Sequence, residues 1–139
     1  MKTRVQAHTC YHLLYHIVWI PKKRHHLMRG IHTYAAKVIK GVTSDRYDDV
    51  IIEELNVQED HIHLMAVIPP KYSVSTVVGD IKRDSSRLLR QKFTHLKNQR
   101  EALWSIGYFV SSVGLDEAQI RRYIKFQDEQ DSGQQEAVI

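Results

Sequence analysis

Cysteine, proline and long apolar runs are all scarce in this chain, and each shortage removes a class of protein. A single cysteine, Cys10, among 139 residues rules out an internal disulfide framework and any metal cluster built on thiolates. It also suits a reducing compartment. No apolar stretch reaches the roughly 18 residues of a membrane span, and the N-terminal stretch through His12 is too polar for a signal peptide. A cytoplasmic protein with no membrane partner is therefore expected. The three prolines fall in two places, Pro21 and Pro69-Pro70, where each ends an apolar run. Excess charge of one sign is also modest. Twenty Lys and Arg against sixteen Asp and Glu leave +4 and a pI near 9.2, which admits an anionic partner without requiring one. The 42% hydrophobic content suffices for one core but not for two independent domains. Residues 1–131 are expected to form a single domain, followed by a disordered tail over 132–139.

The run from Tyr11 to Ile20, YHLLYHIVWI, is aromatic and β-branched and predicts a buried strand stopped by Pro21. A basic turn follows at Lys22-Lys23-Arg24. Between Leu27 and Lys40, apolar residues at three- and four-residue steps predict an amphipathic helix that Gly41 can close. Residues 50–57 and 63–68 predict two strands joined by Gln58-Glu59-Asp60, an antiparallel hairpin. A second helix is expected from Ser73 to about Leu96, with Val74, Val77, Val78, Ile81, Leu88 and Leu89 inward and Arg83, Arg87, Arg90 and Lys97 on a basic outer face. A fourth strand is expected over 103–113. Asp116 and Gln119 have the spacing of a capping box for a last helix that runs to about Asp131. The order is strand, helix, strand, strand, helix, strand, helix. Its first six elements form the α+β, ferredoxin-like βαββαβ pattern of an antiparallel sheet with helices on one face, and the seventh is added to it.

Two short patterns carry chemistry. In Asp60-His61-Ile62-His63 the alternation of a strand points both imidazoles to one face, where they can chelate a cation. The pattern alone fits hydrogen-bonded structural histidines at least as well. On the last helix, Tyr123 and Gln127 are one turn apart and share a face with Ile120 and Ile124. A polar pair on the inward stripe needs partners, and satisfied core hydrogen bonds are the simpler reading. Asp60 could orient His61, or be a solvated turn carboxylate. His16 is expected on a central strand, where it could approach the histidine pair or be a satisfied core residue.

From YHIVWIPKKR through EDHIHLMAVIPP and IKRDSSRLLRQKF to LWSIGYFVSSVG and IRRYIKFQ, nearly the whole chain resembles the short transposases of the smallest bacterial and archaeal insertion sequences, members of the single-tyrosine HUH endonuclease superfamily. The family's HUH element matches His61-Ile62-His63, its nucleophilic tyrosine matches Tyr123, and the glutamine that completes its metal site matches Gln127. The resemblance implies a ferredoxin-like sheet with an added C-terminal helix. It implies a metal-dependent enzyme that cleaves and rejoins single-stranded DNA through a 5′-phosphotyrosine. Two neutral imidazoles and an amide add no negative charge, which suits Mg²⁺ or Mn²⁺, although ligand type alone also admits zinc. It further implies a homodimer that grips DNA hairpins, the tyrosine of one subunit meeting the histidines of the other. Lys22, Lys23, Arg24 and Arg29, and the helix face bearing Arg83 and Arg87, are candidates for phosphate contacts, and each is also what a solvated surface looks like.

Two other readings share some of these features. A domesticated relative would run the same chemistry on chromosomal repeat hairpins. A non-catalytic nucleic-acid-binding module would explain the fold and basicity but leave His61, His63, Tyr123 and Gln127 without a shared purpose.

Overall fold

The computed structural model of the chain describes residues 4–6, 9–11, 13–22, 30–97 and 102–132. The elements run β1 (Arg4–Gln6), β2 (Thr9–Tyr11), β3 (Leu14–Trp19), α1 (His32–Arg46), β4 (Ile51–Val57), β5 (Ile62–Val67), α2 (Val74–Lys92), α3 (Thr94–Lys97), β6 (Phe109–Ser111) and α4 (Glu117–Asp131). β3 to β6 form one sheet in the order β4-β5-β3-β6, and each neighbouring pair is antiparallel. With α1 linking β3 to β4 and α2 linking β5 to β6, this is the expected ferredoxin-like arrangement. β1 and β2 make a separate small hairpin that was not anticipated. Lys23, Arg24, Arg29 and the tail 133–139 lie outside the described residues.

Alternation along the strands divides the core between the two faces of the sheet. Ile17, Trp19, Ile62, Leu64 and Ala66 pack against Ala35, Val38, Ile39 and Val42 of α1 and Val77, Val78, Ile81 and Leu89 of α2. Val18 and Ile20 point the other way, onto Ile120, Tyr123 and Ile124 of α4, with Phe109 and Leu115 at the margin. Burying a side chain of this size contributes about 1.5–3 kcal/mol, so α4 is a packed second layer and not a loose appendage.

Several boundaries differ from expectation for identifiable reasons. The first strand is shorter than Tyr11–Ile20: Tyr11 belongs to β2, and β3 starts at Leu14. Helix α1 passes through Gly41 and ends at Arg46, because the apolar stripe continues into Val42 and Thr43. That burial outweighs the glycine's penalty of about 1 kcal/mol. The helix expected over 73–96 breaks at Phe93, which is extended, and its last turn is the separate α3. Ser73 caps its start by accepting from the Thr76 N–H at 3.1 Å. The strand expected over 103–113 is divided: Trp104 bridges Pro21, then the chain loops outward, and only Phe109–Ser111 rejoin the sheet. Gly107, at φ +94, makes that loop possible, since the left-handed region disfavours any side chain. Lys82 holds it by donating to the carbonyls of Ser105 (2.8 Å) and Gly107 (2.6 Å). The anticipated capping box is present on α4. Asp116 accepts from the Gln119 N–H at 2.8 Å, and the Gln119 side chain accepts from the Asp116 N–H at 2.9 Å.

Candidate functional site

The hairpin β4-β5 places the two histidines. Gln58 N–H donates to the His61 carbonyl at 2.9 Å, which closes the turn and starts β5 immediately after His61. His63 pairs laterally with Val18, whose side chain belongs to the α4 layer, so the His63 imidazole faces α4. His61 is buried and His63 partly buried, and both line an open cleft with Asp60, Ile120 and Arg121.

Asp60 is not a solvated turn carboxylate. One of its oxygens meets His61 Nδ1 at 2.8 Å and the other accepts from Arg121 Nη1 at 2.6 Å, while Arg121 Nε donates to Glu117 at 2.7 Å. With Nδ1 committed to a carboxylate, it carries the proton and leaves the Nε2 lone pair of His61 free. Burial opposes ionisation of Asp60, but its bonds to His61 and Arg121 outweigh this and hold its carboxyl below the ordinary range. His16 stands on the same face, its Nδ1 3.4 Å from His63 Nε2. Burial, reinforced by the neighbouring His16 and His61, lowers the His63 pKa and favours the neutral form that can donate to a metal. Among the described residues, no three His, Cys, Asp or Glu side chains converge as a metal site. Any metal held by the histidine pair would need a further donor of another type or from elsewhere.

Tyr123 and Gln127 share the buried face of α4, as their spacing required. Their surroundings are different from those of the histidines. The Tyr123 hydroxyl donates to Gln127 Oε1 at 3.4 Å, Gln127 Nε2 donates to Asp131 Oδ1 at 3.3 Å, and Ser105 Oγ donates to Asp131 Oδ2 at 2.5 Å. Because a carboxylate can only accept, Asp131 fixes the carboxamide with its oxygen toward the tyrosine. Burial, with the Asp131 charge nearby, pushes the Tyr123 phenol up to about 12. Tyr123 and Gln127 open into a second cleft with Lys22, Ile106, Gly107 and Phe126, which shares no residue with the first. The reason lies in the sheet order. His63 sits on β5 with His61 just before it, and Tyr123 packs on Phe109 of β6, at 5.7 Å between ring centroids, with β3 between those strands. Two strand spacings amount to roughly 10 Å.

Of the proposed phosphate contacts, Lys22 is half-buried beside the tyrosine cleft and Arg87 is exposed. Arg83 donates to Asp80 at 2.7 Å, and Arg46 pairs with Asp84 at 3.0 Å. Carboxylates thus neutralise part of the α2 face expected to be basic. Asp131, Arg121, Ser105 and Lys82 were not singled out from the sequence. Asp131 could have been, since it lies one turn beyond Gln127 on the same helical face; the other three depend on tertiary contacts.

The family described as Transposase IS200 like matches residues 9–127. The transposase of insertion sequence element IS200 from Salmonella typhimurium is 39% identical over 127 residues, covering 90% of this chain and 83% of the relative. The ISDra2 transposase TnpA of Deinococcus radiodurans is 28% identical over 125 residues, 87% of this chain and 88% of the relative. Among solved structures, a candidate transposase from Deinococcus radiodurans superposes with a TM-score of 0.77 at 25% identity, covering 89% of this chain and 97% of that one. A REP-associated tyrosine transposase bound to a REP hairpin gives 0.51 at 15% identity over 94% of this chain and 74% of that one, a likeness of fold. With sheet order, added helix and sequence match in agreement, this chain belongs to the IS200-like transposase family.

Proposed function

We propose that the protein cleaves and rejoins single-stranded DNA at insertion-sequence ends, with Tyr123 as nucleophile and a divalent cation, Mg²⁺ or Mn²⁺, held by His61, His63 and Gln127. The observation that carries this reading is the presence of two complementary half sites. One offers two imidazole nitrogens on a sheet face; the other pairs a phenol with an amide oxygen on the helix covering that face. The donor chemistry fits a cation. His61 is held in the tautomer with Nε2 free, burial keeps His63 toward its neutral form, and Asp131 keeps the oxygen of Gln127 beside the Tyr123 hydroxyl, so the two would reach a cation together. When bound, the cation would polarise the scissile phosphate and offset charge developing in the transition state.

Tyr123 Oη bonds to phosphorus and loses its proton, the bond from phosphorus to the 3′ oxygen breaks, and that oxygen leaves as a hydroxyl after taking up a proton. One phosphoester replaces another, so attack by a 3′-hydroxyl on the 5′-phosphotyrosine rejoins the strand without a nucleotide energy source. A phenol at about 12 is protonated at neutral pH and lies in a different cleft from the histidines, so the docked position of α4 is a resting one. A homodimer in which Tyr123 and Gln127 of one subunit meet the histidines of the other resolves this separation. DNA hairpins flanking the cleaved strand are the proposed substrate feature. Lys22, Lys23, Arg24, Arg29 and Arg87 are the candidate phosphate contacts, with Arg83 weaker because Asp80 already engages it.

The test incubates the protein with labelled single-stranded DNA copied from the ends of its own locus, with and without Mg²⁺. A denaturation-resistant adduct is expected only with metal. It should vanish in Tyr123→Phe while DNA binding survives. A normal adduct from that variant refutes the reading.

A further inference from the structure

The histidine cleft is poorly suited to hold a polyanion by itself. Three carboxylates line it, Glu59, Asp60 and Glu117, against the one guanidinium of Arg121, so its own side chains leave it net negative until a cation arrives. A second groove adjoins it and shares His32, Asn56 and Gln58 with it. One wall of this groove is α1, where His32 and Lys40 are eight residues apart and Thr33 and Lys37 four, so that all four fall on one stripe. The other wall is the end of β4, the edge strand of the sheet. The four α1 side chains are exposed, and among the described residues no carboxylate lines the groove. Carboxylates hold Arg46, Arg83 and Arg121, whereas among the described residues no ion pair engages Lys37 or Lys40. No part of the groove belongs to α4, so its shape does not depend on where that helix docks.

We propose that this groove binds phosphates of the single strand next to the one being cleaved, with Lys37 and Lys40 as the contacting cations. The proposal rests on the histidine cleft being the place of cleavage. From His32 to Lys40 the stripe rises about 12 Å along α1, which leaves room for more than one nucleotide beyond the cleft. Ammonium groups on flexible stems follow a phosphate backbone without reading its bases, so the groove supplies affinity and register and leaves sequence selection to other contacts. The strand is thereby drawn to the cationic groove and delivers its neighbouring phosphate to a cleft that could not attract it unaided. A protein partner fits this surface less well. None of the five exposed large apolar side chains among the described residues lines the groove, so it offers no anchor of the kind that dominates protein interfaces.

The test measures binding of the full-length protein by fluorescence anisotropy in the presence of a chelator, so that neither metal nor cleavage enters. The probe is labelled single-stranded DNA copied from the ends of the protein's own locus, with monovalent salt varied from about 50 to 200 mM. The double variant Lys37→Gln, Lys40→Gln alters two exposed side chains and leaves the core intact. Losing two phosphate contacts should lower the slope of log affinity against log salt by about 1.4, so wild-type affinity should fall about 7-fold further than the variant's over that range. Methylphosphonates placed singly along the strand then remove one phosphate charge at a time. Where a phosphate lies in the groove, the replacement should weaken wild type but not the variant, and those positions should adjoin the cleavage site. Absence of wild-type binding, an unchanged slope, or equal losses for both proteins at every position would each overturn the proposal. Loss of self-association in the variant by sedimentation, without coupling to any phosphate, also overturns it and makes the groove a subunit contact. Failure of wild-type protein to form an adduct with Mg²⁺ would refute the cleavage reading instead, and would leave the binding comparison readable.

Discussion

Lys82 offers a quantitative test of how the tyrosine cleft is built. Burial pushes its ammonium down to about 8 from the 10.5 of an ordinary lysine, and no carboxylate is among its hydrogen-bond partners, the Ser105 and Gly107 carbonyls. A displacement of that size corresponds to about 3 kcal/mol of destabilisation while the group is charged in the folded state. Between pH 8 and 10.5 the unfolded chain binds more protons at this lysine than the folded one, so stability rises with pH across that window. Below pH 8 both states are protonated and the penalty is fully present; above 10.5 it is gone. Tyr123 and Tyr47, both pushed up to about 12, act in the opposite sense above pH 10, where the unfolded phenols ionise first.

Comparison with Lys82→Met separates these effects, because the tyrosine contribution is common to both proteins. Urea unfolding at intervals from pH 7 to 10 should show wild type gaining about 2–3 kcal/mol relative to the variant over that range. At pH 7 the variant escapes the cost of a buried cation but leaves the buried Ser105 carbonyl without its donor, which costs about 1–3 kcal/mol, so the two nearly cancel there. Parallel stability profiles for the two proteins would refute the burial of a charged Lys82, and with it the claim that this side chain fixes the 105–107 loop.

Three further outcomes follow from the site. Asp60→Asn removes the charge that orients His61, and the metal concentration for half-maximal adduct formation should rise about 10- to 100-fold with the rate largely recovered at saturation; an unchanged metal requirement would make Asp60 a bystander. Asp131→Asn removes a negative charge near the phenol, so the Tyr123 absorbance titration, taken as the difference from Tyr123→Phe, should move below about 12. No movement would mean that burial alone sets it. Chains with Tyr123→Phe mixed with chains carrying His61→Ala and His63→Ala should regain adduct formation at roughly a quarter of the wild-type sites, as statistical pairing in a two-fold dimer requires. No recovery would place each active site within a single subunit.

Periodicity made legible whatever depended on periodicity. The inward stripes of α2 and α4, the capping box at Asp116 and Gln119, and the alternation that turns His61 and His63 to one face are local consequences of residue order. The broken strand at 103–113 was not legible, because nothing in LWSIGYFVSSV says that Lys82, more than twenty residues earlier, will hold the Ser105 and Gly107 carbonyls out of the ladder. Gly41 misled in the same way: its effect as a helix stop was weaker than the burial available to Val42 and Thr43. The same distinction governs the site. The placement of each half of the proposed site was legible, since one is a strand pattern and the other a helix pattern. Their separation was not, because it depends on where α4 lands across three strands, with Arg121 tied to Asp60 at β5 and Tyr123 resting on Phe109 at β6. That landing gives the Arg121 to Asp60 ion pair a second consequence. The contact that steadies His61 also anchors the helix bearing Tyr123, so α4 cannot leave its own subunit's sheet without releasing the carboxylate that orients the first histidine. Exchange of α4 between subunits would then need the incoming helix to restore that contact with its own Arg121, coupling arrival of Tyr123 to correct orientation of His61.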